Sequence, residues 1–339
     1  RQEVLKQVSR GDKGDRNIYK RKLTTYLQIM KIVYIFHAFA SKAGVERILS
    51  NKMNYLVSHY GYDVTFITYE QGNHPFAYYL DKRINVVDLD VPFYPLYALN
   101  PLKRFIKKSK IKHLFKSKLS NILEKINPDC VVLTTYDFDK FESILSLPYR
   151  FIIESHVCMS DIRNELKHNN FFIRYIAKKV DNKSFNYLDK TTCMVTLTES
   201  DRNEWKKRTS IPIHVIPNFA SQVPDCCSSY SMRPNRILSV GRLTNQKGFD
   251  YLIKSWSIIA HKFPTWRIDI FGHGELHNYL HNLIIEHNLM QSVKINVPTD
   301  RIFDEYNNSS VFLLTSRYEG YALVLIEAMS CGVPCISFD

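Results

Sequence analysis

From Met30 onward the chain alternates short apolar runs with longer stretches whose apolar residues recur at helical spacing. The runs predict strands at 31–36, 63–68, 84–89, 129–134, 151–154, 192–197 and 213–216. A second series follows at 236–240, 266–271, 293–296, 311–314 and 334–338. Helical spacing predicts helices from the Ala43-Gly44 turn to about His59, then near 101–126, 160–189 and 200–208. Later helices are expected near 248–262, 275–288, 301–308 and 322–331. Alternation of this kind implies α/β architecture with parallel sheets and right-handed crossovers. Two such series imply two Rossmann-like domains, whose ligands belong at the carboxyl ends of the strands.

Between the series lies the polar, aperiodic stretch SQVPDCCSSYSMRPN, which reads as a linker. The expected organisation is an upstream extension or disordered arm over 1–29, a first domain over 30–217, a linker over 218–234 and a second domain over 235–339. Met30 is expected to be the natural start. The series ends on a strand, so the second domain is expected to be incomplete.

Composition narrows the class. Of 339 residues, 45% are hydrophobic, which places the chain among globular proteins. No apolar run approaches the ~18 residues of a spanning helix, and the first 29 residues lack a signal-peptide core. The seven cysteines have no framework spacing, and neither Cys226-Cys227 nor Cys331-x3-Cys335 has partners for zinc. The chain reads as cytosolic, with idle thiols.

Charge is concentrated. Residues 1–29 carry eight Lys/Arg against three Asp/Glu, and residues 101–125 carry nine against one; these two stretches hold the whole net charge of +13. A basic nucleic-acid-binding surface is therefore not expected. The 101–126 segment places Leu102, Phe105, Ile106, Leu114, Phe115, Leu119, Ile122, Leu123 and Ile126 at helical spacing among its lysines. That pattern suits a helix on an anionic membrane surface, and equally one packed on the first sheet with a solvated basic face.

Candidate chemistry clusters at the strand ends. In RYEGYALVLIEAMSCGVPCISFD, Glu319 and Glu327 stand eight residues apart. Were every step helical they would be separated by ~12 Å, about the span from sugar to ribose in a nucleoside diphosphate sugar. A turn opening a helix beside Glu319 would also offer free backbone N–H groups to an anion. In ILSVGRLTNQKGFDYLIKSW, Arg242 and Lys247 follow a strand beside Gly241 and Gly248, where two cations suit a diphosphate. Gly272 and Gly274 form the tight turn of FGHGE, weak evidence alone. Gly44 opens the first helix, where a phosphate can approach the backbone. His156 ends the strand FIIES and faces a ligand cleft or fills a structural role. Ser200 is read as the N-cap of the next helix. Asp137-x-Asp139 reads as a turn and cap rather than a metal motif.

Together these segments resemble the retaining glycosyltransferases of family 4, which have the GT-B fold. The resemblance is dense in VGRLTNQKG, FGHGE and the Glu-x7-Glu segment, and looser in AGVERIL, IIESH, LTESD and VIPNF. It implies that Arg242 and Lys247 neutralise the donor diphosphate, Glu327 holds the ribose hydroxyls and Glu319 the hydroxyls of the transferred sugar. It places the Gly44 amide at the distal phosphate and His156 near the reacting centre. No metal and no cofactor are implied beyond the nucleotide-sugar co-substrate. The implied acceptor is a saccharide or lipid-linked saccharide in cell-surface polysaccharide or glycolipid synthesis. A sugar-nucleotide 2-epimerase of the same fold, or a non-catalytic nucleotide-sugar-binding remnant, is the alternative. Two departures stand out: many relatives carry Gly-Gly where this chain has Ala43-Gly44, and a second Gly at the place of Ala322.

Overall fold

A computed structural model describes residues 29–93, 101–134, 138–141, 144–156, 187–220 and 233–338. The expected arm over 1–29, except Ile29, lies outside the described residues. So do most of the 160–189 helical stretch, most of the linker, Asp137, Cys158 and Cys226-Cys227, and the side chain of Asp139.

Twelve strands form two sheets. The first has seven strands in the order β3-β2-β1-β4-β5-β6-β7 and the second five in the order β10-β9-β8-β11-β12. The first series comprises β1 Lys31–Phe36, β2 Asp63–Thr68, β3 Asn85–Asp88, β4 Cys130–Leu133, β5 Phe151–Glu154, β6 Cys193–Thr196 and β7 Ile213–Val215. The second comprises β8 Arg236–Val240, β9 Arg267–Phe271, β10 Val293–Asn296, β11 Val311–Leu314 and β12 Cys335–Ser337. Every pairing with a described register is parallel. This is the α/β, Rossmann-like architecture that the pattern predicts.

Apart from the single turn Phe138–Phe141, the α-helices among the described residues are α1 Gly44–Tyr55, α2 Pro101–Ile126, α3 Glu199–Lys206, α4 Phe249–Ile259, α5 His277–Glu286, α6 Ile302–Asn307 and α7 Leu323–Ser330. One cap differs from expectation. Thr198, not Ser200, precedes α3, and its side chain accepts from the Asp201 N–H at 3.1 Å. Thr198 has extended backbone, as a capping residue requires, whereas Ser200 is already inside the helix.

The chain divides into two compact units. Arg1–Ser41, Lys52–Leu133 and Ser143–Phe151 form the first; Lys42–Asn51, Thr134–Glu142 and Ile152–Asp339 form the second. In the first, β1 and β2 are buried along nearly their whole length, so both sheet faces are covered. Phe115, Leu119 and Leu123 of α2 are fully buried there. Phe115 meets Tyr69 and Phe93 edge-on at 5.3 and 5.7 Å.

In the second unit the five-stranded sheet divides neighbouring residues between two cores. Ile237, Ile268, Ile270 and Val293 face α4 and α5, while Leu238, Phe312 and Leu314 face α6 and α7. Period-two alternation therefore produces two apolar faces, as in a strand covered on both sides.

Loops at the carboxyl end of this sheet are locked by backbone contact. Gly248 lies at φ +62°, and a Cβ there would sit 2.0 Å from the Thr315 carbonyl oxygen. A Cβ on Gly272 would come equally close to the Gly241 carbonyl oxygen. Arg317 braces the same region with two bonds to Asp250, at 2.9 and 2.8 Å, and one to the Asn245 carbonyl at 2.6 Å. Its guanidinium also stacks 4.1 Å above the Tyr251 ring.

Two expectations follow. Gly248→Ala combines left-handed backbone with a clash against main chain, so it should cost about 3 kcal/mol. The thermal midpoint should fall by roughly 6–12 °C; a change below 2 °C (~0.5 kcal/mol) would contradict the loop packing. The second concerns pH. The Arg317 hydrogen bonds hold the Asp250 carboxyl below its ordinary value. That pairing stabilises the fold above about pH 4 and is lost as pH falls through the lowered folded-state value. Arg317→Ala should therefore cost about 1 kcal/mol at pH 7, with the gap narrowing in urea titrations taken toward pH 3.

Candidate active site

The strongest convergence lies at the carboxyl ends of β8 and β11. The Lys247 ammonium contacts Glu319 Oε1 at 2.6 Å, although 72 residues separate them. Ser316 Oγ donates to the same oxygen at 2.5 Å. Both charged side chains are largely buried. Gln246 ties the loops further, donating to the Tyr318 carbonyl at 3.3 Å, while the Arg317 N–H donates to the Gln246 carbonyl at 2.8 Å. Arg242 is exposed and reaches Gln246 Oε1 at 3.4 Å.

The glycines cluster around this pair. A Cβ on Gly241 would press the Lys247 side chain at 3.2 Å. Gly272 packs on Gly241, and a Cβ on Gly274 would meet the Leu243 carbonyl oxygen at 2.6 Å. Gly241 N–H donates to the Phe271 carbonyl, and Leu243 N–H to the His273 carbonyl. The GRL and FGHGE turns are thus fastened side by side. Close loop packing accounts for Gly272 and Gly274 in this structure.

Glu327 is placed differently. The Glu-x7-Glu segment is not one continuous helix: α7 begins at Leu323, with Ala322 as its capping residue. Glu319 lies in the preceding loop, so the ~12 Å helical separation does not apply and no helix opens beside Glu319. Glu327 is 3% exposed. Arg47 pairs with its Oε1, and Tyr306 donates to its Oε2 at 3.2 Å. Burial raises the Glu327 carboxyl above its ordinary value, with Arg47 and Tyr306 opposing. Burial, followed by the Glu327 charge, pushes the Tyr306 phenol well above its own.

Arg47 comes from α1, whose Lys42–Asn51 region belongs to the same compact unit. Gly44 opens this helix, and a Cβ there would meet Leu323 Cδ1 at 2.9 Å. Glu46 is buried beside it in sequence, and burial raises its carboxyl. Lys42 reaches Asp300 of the VPTD loop at 2.8 Å, both exposed. Sequence reasoning singled out Gly44 and passed over Arg47 and Tyr306. The AGVERIL segment held the signal, an Arg among apolar helix positions, but its carboxylate partner lies 280 residues away.

His156 follows β5. Its Nε2 lies 3.1 Å from Glu154 Oε2, and the two side chains are only 3% and 9% exposed. A carboxylate only accepts, so this contact puts a proton on Nε2. Nδ1 is buried without a hydrogen-bond partner among the described residues. The polar contact described for His156 is with Glu154, and none joins it to Lys247, Glu319 or Glu327.

A cavity of 590 Å³ opens elsewhere in this unit, along β9 and β10, and contains none of the predicted site residues. Within it Arg236 pairs with Asp269 at 2.5 Å and Glu305 at 2.7 Å. Among the described residues no three His, Cys, Asp or Glu side chains gather as metal ligands. Among them, too, no helix is long and apolar enough to cross a membrane.

Comparison with known proteins gives the family. Residues 229–339 match the family described as Glycosyl transferases group 1. An uncharacterized glycosyltransferase of Haemophilus influenzae is 31% identical over 315 residues, covering 91% of this chain and 80% of the relative. The amylovoran biosynthesis glycosyltransferase AmsD of Erwinia amylovora is 25% identical over 320 residues, 91% of this chain and 81% of its own. Among solved structures, TarM of S. aureus, in complex with fondaparinux, α-GlcNAc-glycerol and UDP, superposes with a TM-score of 0.65. It is 15% identical and covers 91% of this chain and 86% of its own. With two parallel Rossmann-like sheets and these relatives, the chain belongs to the group 1 glycosyl transferases, enzymes of the GT-B fold.

Proposed function

We propose that this chain is a retaining, metal-independent glycosyltransferase that takes its sugar from a nucleoside diphosphate sugar. Its acceptor is a saccharide or lipid-linked saccharide in cell-surface polysaccharide or glycolipid synthesis. The observation that carries the reading is the Lys247–Glu319 contact at the carboxyl end of the sheet, with Ser316 on the same oxygen. It brings together a cation suited to a leaving diphosphate and a carboxylate suited to sugar hydroxyls. The relative that acts in amylovoran biosynthesis and the fold neighbour that holds UDP support the substrate class.

In this reading Lys247 and Arg242 stabilise the negative charge that develops on the diphosphate as the glycosidic bond to the donor breaks. Preorganised cations act there as oxyanion-hole donors do. Glu319 exchanges its Lys247 partner for sugar hydroxyls when the donor enters, because a diphosphate competes for the ammonium. Glu327 receives the ribose hydroxyls, and Gly44 and the Gly241–Gly272 turns approach the donor by backbone. His156, its ring oriented by Glu154, lies near the reacting centre. The lysine-rich α2 suits an anionic membrane surface, where a lipid-linked acceptor would lie.

A thermal-shift panel of UDP, GDP, ADP and CMP tests the donor. One nucleotide should raise the midpoint, by up to ~2.7 kcal/mol of stabilisation at a hundredfold excess over Kd, and Glu327→Ala should abolish the shift. Silence from all four would remove the donor assignment. Lys247→Ala and Arg242→Ala should each lower kcat about 10²–10³-fold, with less effect on KM. Turnover should persist in EDTA, and the product should keep the donor's anomeric configuration by NMR. Loss of turnover in EDTA, or an inverted product, would overturn those parts of the proposal.

A further inference from the structure

Glu327 is a buried carboxylate, and two groups outside the assignments above already hold it. Arg47 from α1 engages Oε1, and Tyr306 from α6 engages Oε2. Tyr306 is fully buried. Arg47 commits a terminal nitrogen to Glu327, while its Nε is buried with no hydrogen-bond partner among the described residues. Most buried polar groups find partners, so an Arg serving packing alone would not be expected to leave a donor bare. The pairing with Glu327 is the interaction that sets its position.

An ionised carboxylate offers about four acceptor positions over two oxygens. Arg47 and Tyr306 occupy one on each oxygen, which leaves acceptor capacity on both. Two oxygens fixed this way match two neighbouring hydroxyls. A protonated carboxyl would not, because one oxygen would become a donor.

We infer that Arg47 and Tyr306 are positioning residues for ribose recognition, holding Glu327 in one orientation with acceptor capacity left on each oxygen for a vicinal diol. The inference rests on the assignment of Glu327 to the donor ribose. Neither residue touches the reacting atoms. Arg47 opposes the rise that burial imposes on the carboxyl, and Tyr306 fixes its second oxygen. The groups facing Glu327 are Arg47 of α1 and Tyr306 of α6, with Cys331 next to Tyr306 at the end of α7. Burial favours the neutral carboxyl and Arg47 opposes it. Without Arg47 protonation must therefore occur at higher pH, and ribose binding must fail at higher pH with it.

The test uses the full chain, titrated with UDP and GDP and with their 2′,3′-dideoxy counterparts between pH 5.5 and 8.5. Wild type should prefer the ribonucleotide about tenfold or more, the scale of a charged hydrogen bond. Arg47→Met and Tyr306→Phe should cut the preference to about threefold or less. Arg47→Met should also lose nucleotide affinity at a higher pH than wild type, and Arg47→Lys should recover part of both. Donor KM should rise about tenfold in Arg47→Met with kcat at saturation little changed, since uniform binding alone is lost. Circular dichroism checks that each variant folds; Tyr306→Phe preserves the core shape should Arg47→Met fail. An Arg47→Met protein that keeps the ribose preference and pH profile overturns the inference, as does one that binds the ribonucleotide more tightly. Wild type without any ribose preference, or Glu327→Ala that retains it, overturns the assignment of Glu327 itself.

Discussion

Two of the backbone approaches in the second unit that leave no room for a side chain hold the site together. Gly272 lies against the Gly241 carbonyl and Gly248 against that of Thr315. The first contact joins the turns after β8 and β9, and the second joins the β8 turn to the loop after β11. Only then can Lys247 and Glu319, 72 residues apart, meet at 2.6 Å. Gln246 and Arg317 add hydrogen bonds across the same junction, and Ser316 holds Glu319 within its own loop. The groups are therefore oriented before any ligand arrives, which is the condition under which charges stabilise a developing anion most effectively.

The two glutamates of the Glu-x7-Glu segment occupy different electrostatic surroundings. Glu319 sits on a loop beside an ammonium and a hydroxyl, both of which an incoming ligand can replace. Glu327 sits inside α7, 3% exposed, between a guanidinium and a phenol that come from α1 and α6. Burial penalises its charge, and the opposite charge of Arg47 offsets the penalty. A loop carboxylate can trade partners as a ligand enters, whereas a helix-borne, bracketed carboxylate offers a fixed pattern of acceptors. Those properties suit the transferred sugar and the ribose respectively, since the sugar must leave its carboxylate and the nucleoside need not move during transfer.

Much of the fold was legible because strand and helix periods differ and the elements are well separated. Asp63–Thr68 and Pro101–Ile126 have the bounds that the pattern predicts. Local chemistry was read less well where a choice among neighbours was decided by one or two residues of backbone. Thr198 rather than Ser200 caps α3 because the extended residue precedes Glu199. The helix expected near 322–331 is α7, Leu323–Ser330, whereas the contacts of Ser316 and Lys247 with Glu319 in the turn before it had no signal in the spacing. Arg47 and Tyr306 were not singled out: Arg47 is a charged residue among apolar helix positions whose carboxylate partner lies 280 residues away, and only the tertiary fold reveals the carboxylate it shares with Tyr306.

The basic helix α2 shows where periodicity reaches its limit. A membrane-surface helix and a helix packed on a sheet need the same apolar stripe, so spacing cannot separate them. What separates them is the cover over the stripe. At Phe115, Leu119 and Leu123 that cover is the first unit's own core, with Phe115 in an aromatic triangle with Tyr69 and Phe93. These three side chains are thus unavailable for insertion between lipids. Attraction of this part of α2 to a membrane would act through its lysines. Charge attraction falls off within about 10 Å in 0.1 M salt, whereas burial of apolar groups in lipid does not weaken with salt. Such a contact would be reversible, which suits an enzyme that must release each product before taking its next acceptor.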